Sequence, residues 1–71
     1  MSEPTENIIA NGEAIPTTFP CTLEEFLLGR NLLPKSVVVE LNREAISPSQ
    51  FKTQTLKPND QLEIVKIVAG G

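Results

Sequence analysis

The sequence predicts an α+β fold in which a mixed, four- to five-stranded sheet packs on one main helix, and three kinds of stretch carry that prediction. Asn11-Gly12 separates the short apolar run Ile8-Ile9-Ala10 from Glu13-Ala14-Ile15, which would return antiparallel, and this dipeptide suits a type I′ hairpin turn, whose two central residues both need φ > 0. Thr22-Leu23-Glu24-Glu25 has the spacing of a helix capping box, with the hydroxyl accepting from the amide three residues on while the carboxylate reaches back. Val37-Val38-Val39-Glu40-Leu41 and the run Gln61 to Val68 are rich in β-branched residues and bounded by turn formers, which reads as strand.

In chain order, residues 1–6 are polar, contain Pro4 and form a loose lead-in; the folded domain is expected over 7–67 and a flexible tail over 68–71. In the first hairpin Pro16 has no N–H to give to a ladder, which limits the second strand to a sheet edge or an early stop. In the helix Leu23, Phe26 and Leu27 recur at i, i+3 and i+4 and share one buried face. Arg30 suits the negative end of the helix dipole, Asn31 can take a left-handed cap, and Pro34 forbids continuation. Alternation puts Val37, Val39 and Leu41 on one face of the next strand and Val38 and Glu40 on the other. After Asn42-Arg43, Glu44-Ala45-Ile46 pairs back, and Ser47-Pro48-Ser49 turns the chain. Phe51 and Leu56 are expected to plug an irregular connection onto the core, and Pro58-Asn59-Asp60 is a turn in which Pro sets φ and Asn tolerates the left-handed region. The final run alternates Leu62, Ile64, Lys66 and Val68 against Glu63, Val65 and Ile67.

Composition narrows the function. A chain of 71 residues has little room for an enclosed active site. With no His and no CxxC, metal centres and His-based acid–base chemistry are not expected. Glu24, Glu25, Glu40, Glu44 and Glu63 are spread along the chain and read as solvated faces. The formal charge is −3, and the six Lys and Arg are scattered between Arg30 and Lys66; nucleic-acid binders concentrate cations on one face, so a basic protein partner fits better. The single cysteine, Cys21, argues against a disulfide-stapled scaffold. It sits one residue before the cap, where it can pack against Phe26; a reactive thiol at a helix start is the competing reading, weakened by the lack of a neighbouring base. The first residues lack a cationic, apolar leader, and no run is long enough to span a membrane. A cytoplasmic protein that neither enters a membrane nor catalyses a reaction by itself is the expectation.

The chemistry is expected in Val68-Ala69-Gly70-Gly71. Two glycines without Cβ can thread a slot that any side chain would block. An α-carboxylate on Gly71 is ionised at neutral pH and a poor electrophile, so it must be activated by another protein, most simply as an acyl-adenylate made with ATP. Extended, Val68 to Gly71 reaches about 13–14 Å, enough for the end to enter a partner's site while the domain stays outside. Ordering those residues costs about 1–2 kcal/mol each, so the domain must supply affinity elsewhere. Val65 and Ile67, joined by Val38 and the tail-proximal Val68, are the candidate docking patch; the other reading, compatible with it, is an ordinary central strand beneath the helix.

The order hairpin, helix, strand, short strand, irregular connection and final strand is the plan of the β-grasp, ubiquitin-like domains. Ile9-Ala10-Asn11-Gly12-Glu13, Thr22 to Leu27, Val38-Val39 with Leu41-Asn42-Arg43-Glu44-Ala45-Ile46, and Asp60 to Val65 followed by Val68-Ala69-Gly70-Gly71 resemble the ThiS family of sulfur carriers in thiamine biosynthesis, over nearly everything after Asn7. The sequence departs from that pattern at Asn59-Asp60, where Gly-Asp is frequent, and at Phe51, where Trp is frequent. The resemblance implies a carrier that binds no cofactor. A ThiF-type adenylyltransferase would use ATP to adenylate Gly71 while Ala69 and Gly70 thread its site, a sulfur donor system would form the Gly71 thiocarboxylate, and a ThiG-type thiazole synthase would receive the sulfur. The small subunit of molybdopterin synthase, a ubiquitin-like modifier and a β-grasp binding module without tail chemistry are the alternatives.

Overall fold

Residues 6–68 are described by the computed structural model, and their local chemistry explains each element. The first hairpin joins β1 (Glu6–Ala10) to β2 (Glu13–Thr17). Its two turn residues, Asn11 and Gly12, have φ of 50° and 81°, as a type I′ turn requires. A second two-residue turn, Asn42-Arg43 with φ of 50° and 72°, joins β4 (Val37–Leu41) to β5 (Glu44–Ile46). The strand β7 (Gln61–Lys66) completes a five-stranded sheet in the order β2-β1-β7-β4-β5. β1 and β7 run parallel, while β1–β2, β4–β7 and β4–β5 are antiparallel. Pro16 lies on β2 at the sheet edge, where its missing N–H leaves no ladder bond unmade.

The helix α1 (Leu23–Gly29) is held at both ends by named groups. At its start the Glu25 amide donates to Thr22 Oγ1 at 3.1 Å and the Thr22 amide donates to Glu25 Oε1 at 2.9 Å, closing the capping box. The free amides of Leu23 and Glu24 donate to the carbonyls of Gln54 and Phe51, at 2.8 and 3.0 Å. The irregular connection thus satisfies donors that every helix N-terminus leaves unpaired. At the other end Asn31 takes φ 62°, and the Asn31 and Leu32 amides donate to the carbonyls of Leu28 and Leu27. That double bond pattern is a Schellman stop with Asn in the left-handed position.

One cluster of buried side chains joins the layers. Ile8, Ile15, Val37, Val39, Leu41 and Leu62 come from the inner sheet face and Leu23, Phe26 and Leu27 from the helix. Phe51 and Leu56 close the open end of the core, at 1% and 2% exposure.

Three features differ from the sequence-based expectation. β1 begins at Glu6, one residue inside the expected lead-in. A second ladder, β3 (Cys21–Thr22) against β6 (Thr55–Leu56), ties the helix entry to the connection; two residues on each side are too few to show a period in the sequence. β7 ends at Lys66 rather than Val68, because its partner β4 begins at Val37, directly opposite Lys66. Before Val37 the chain is a 3-10 turn, Pro34–Ser36, which offers one last carbonyl, Ser36 O, to the Ile67 amide at 2.8 Å. Among the described residues, no helix is long and apolar enough to cross a membrane.

Candidate functional site: the outer sheet face beside the tail

β4 and β7 are neighbours within the sheet, and their alternation decides what the outer face presents. Val37, Val39 and Leu41 point into the core, so Val38 and Glu40 point out. On β7, Leu62 points in and Glu63 and Val65 point out. Helix and connection cover only the inner face, so the outward residues remain in solvent. Val38 is 54% exposed, Val65 63%, Ile67 55% and Val68 87%.

Register brings part of the expected patch together. Val38 lies directly across from Val65, and Ile67 follows two residues further along the same chain. Val68 lies past the last ladder pair and beyond the Ile67–Ser36 bond. The final strand is thus both things the sequence suggests: β7 is the central strand of the sheet, and among the described residues its outer face is open. Ala69, Gly70 and Gly71, the residues assigned to threading and sulfur carriage, lie outside the described residues.

Two asparagine side chains set the position of β7 and hence of the patch. Asn11 Nδ2 donates to Ile64 O at 3.0 Å while its Oδ1 accepts from the Ile64 amide at 2.7 Å. Asn42 Nδ2 donates to Asp60 Oδ1 at 3.1 Å, and Asn42 Oδ1 accepts from the Gln61 amide at 2.9 Å. The sequence marks both residues as turn formers. Their second role spans 53 residues in one case and 19 in the other and leaves no local signal.

The same register places Glu40 opposite Glu63. Sequence reasoning read these two as separate solvated carboxylates; only strand pairing puts them side by side next to Val38 and Val65. Cys21 lies elsewhere. It is buried at 8% exposure and its Sγ donates to Thr22 O at 3.3 Å. Burial pushes its thiol above the ordinary range, with the Glu25 carboxylate adding to the shift, so the thiolate that nucleophilic chemistry needs is disfavoured. The packing role expected for Cys21 is the one its surroundings support.

Comparison with known proteins returns the same plan. A family model for the ThiS family matches residues 3–71. A thiazole synthase of Magnetococcus marinus is 34% identical over 61 residues, covering 86% of this chain and 19% of that protein, so the chain spans about a fifth of the length of this relative. The crystal structure of the thiamine biosynthesis protein ThiS from Geobacter metallireducens gives a TM-score of 0.78 at 26% identity, covering 92% of this chain and 99% of that one. A solution structure of a thiamine biosynthesis protein from the same organism gives 0.75 at 26% identity, covering 92% and 87%. What is shared is the β-grasp plan: one helix on a mixed five-stranded sheet.

Proposed function

The chain belongs to the ThiS family, and from that premise we propose that it is a sulfur carrier of thiamine biosynthesis, acting as a co-substrate of partner enzymes rather than as a catalyst. The Gly71 carboxylate attacks the α-phosphorus of ATP in the site of a ThiF-type enzyme, pyrophosphate leaves, and Gly71 becomes an acyl-adenylate. A sulfur nucleophile from a donor system then adds to the acyl carbon and AMP leaves, so one carboxylate oxygen is replaced by sulfur. The thiocarboxylate passes that sulfur to a ThiG-type thiazole synthase. ATP belongs to the activating partner, and the carrier itself holds no cofactor. A carboxylate resists nucleophiles until its oxygen is made a leaving group, which is why adenylation must come first.

The observation that carries this reading is the open apolar face of β4 and β7, on the strand that leads directly to the Gly-Gly segment. A tail of glycines has few side chains with which to bind, so affinity has to come from the domain. Val38, Val65, Ile67 and Val68 are the residues assigned to docking, and Ala69 and Gly70 to threading. The similarity to a segment of a thiazole synthase supports the choice of acceptor. The single buried thiol is in keeping with work in the cytoplasm.

Intact mass of the protein, taken after incubation with ATP, an adenylating partner and a sulfur donor, tests the proposal beside a control lacking Gly71. The expected result is exchange of one oxygen for sulfur in the full chain alone. An activating enzyme that is competent on its own carrier but leaves this mass unchanged would remove the proposal, and isopeptide-linked conjugates would replace it with a protein modifier.

A further inference from the structure

The middle of the outer sheet face carries a conflict between like charges that no ladder neighbour among the described residues offsets. Glu40 and Glu63 are direct cross-strand partners in β4 and β7, and both are exposed. Like charges in that position sit about 4.5–5.5 Å apart at Cβ and destabilise the pairing. The other ladder neighbour of Glu40 is Ala45, and the adjacent pair on the same face is Val38 with Val65. Lys66 stands opposite Val37, which points into the core, so alternation sends its side chain to the other face.

Adjacency makes this conflict relevant to docking. Residues two apart along a strand are about 6.5–7 Å apart, so any surface that covers Val38 and Val65 also strips water from the two carboxylates. Burying carboxylates without a partner costs far more than the covered valines return. We propose that Glu40 and Glu63 together receive an arginine or lysine side chain that projects from an apolar surface of thiazole synthase. A guanidinium fits best, because its planar fork can give parallel hydrogen bonds to two acceptors at once. Docking then turns the repulsion of the free chain into a three-centre attraction and makes the patch selective for a partner with a cation at that point. The inference rests on the carrier reading and adds to it the chemistry of the surface that the carrier meets.

The test compares the full-length chain with its Glu40→Gln/Glu63→Gln variant, measuring affinity for purified thiazole synthase between about 0.05 and 0.5 M salt and thermal stability of the free chain. A Glu13→Gln/Glu44→Gln variant controls for net charge, since Glu13 and Glu44 lie opposite Ala10 and Leu41, away from the outer face. The expected result is a Kd raised about tenfold or more with most of its salt dependence gone, together with an unchanged or higher melting temperature. The control should bind within about twofold of the wild type. An outer-face variant that binds as tightly as the wild type, or one that weakens no more than the control, overturns the inference while leaving the carrier reading intact. A wild-type chain that is neither bound by thiazole synthase nor converted to the thiocarboxylate overturns both.

Discussion

Asn11 does two jobs with one side chain. Its backbone takes a left-handed φ of 50°, which Asn tolerates better than most residues because its short polar side chain can bond locally. Its amide then continues the parallel β1–β7 ladder where the backbone turns away, bonding both the N–H and the C=O of Ile64. Asn11→Gly keeps the turn and loses the amide, so it should cost about 1 kcal/mol. Asn11→Ala loses the amide and strains the turn as well, and about 2 kcal/mol is expected. Urea titration of the pair checks the order; equal stability of the two variants would mean that the left-handed backbone contributes nothing. The turn role is legible in the sequence because it depends on the residue and its neighbour. The bridging role is not, because it depends on where a strand 53 residues away comes to rest.

At the scale of the element, α1 shows how a short helix survives. Its seven residues are below the length at which isolated helices are stable, so ends and packing must carry it. Thr22 and Glu25 satisfy each other's backbone, Phe51 and Gln54 take the next two amides, and Asn31 closes the far end. Thr22→Ala should therefore cost about 1 kcal/mol, a fall of about 4–8 °C in melting temperature for a domain of this size. A scanning calorimeter reads this directly, and no shift would mean that the carbonyls of the connection suffice without the cap. The capping box and the apolar positions of α1 are visible in the sequence because they recur within one or two turns. The carbonyls of Phe51 and Gln54 are supplied from across the fold, so the sequence could mark Phe51 only as a core plug.

For the whole molecule, the division is between an inner face that folds the domain and an exposed outer face for which we propose a docking role. A charge introduced at Val65 tests it, since this side chain is 63% exposed and packs in none of the core. Val65→Asp should weaken docking to the activating enzyme by about tenfold or more, while the folding free energy falls by no more than about 1 kcal/mol. Affinity and a urea melt on the same sample separate the two effects. Unchanged affinity would free Val65 of its docking role, and an unfolded variant would show that the outer face contributes to folding after all.

What the sequence by itself determined is local: the two-residue turns, the limits of the helix, the inward set Val37, Val39 and Leu41, and Phe51 and Leu56 as core plugs. Each rests on steric and hydrogen-bonding preferences that act within a few residues. With their order along the chain, these were enough for the fold class, and together with Val68-Ala69-Gly70-Gly71 they carried the ThiS resemblance. Tertiary structure alone decided the pairings: Val38 with Val65, Glu40 with Glu63, Cys21 with Leu56, and the end of β7 at Lys66. A strand's own pattern says which side chains share a face, but its register depends on how all the layers close over one core. For that reason the apolar members of the outer patch could be named from alternation, whereas the opposed carboxylates beside them became visible only once β4 and β7 were paired.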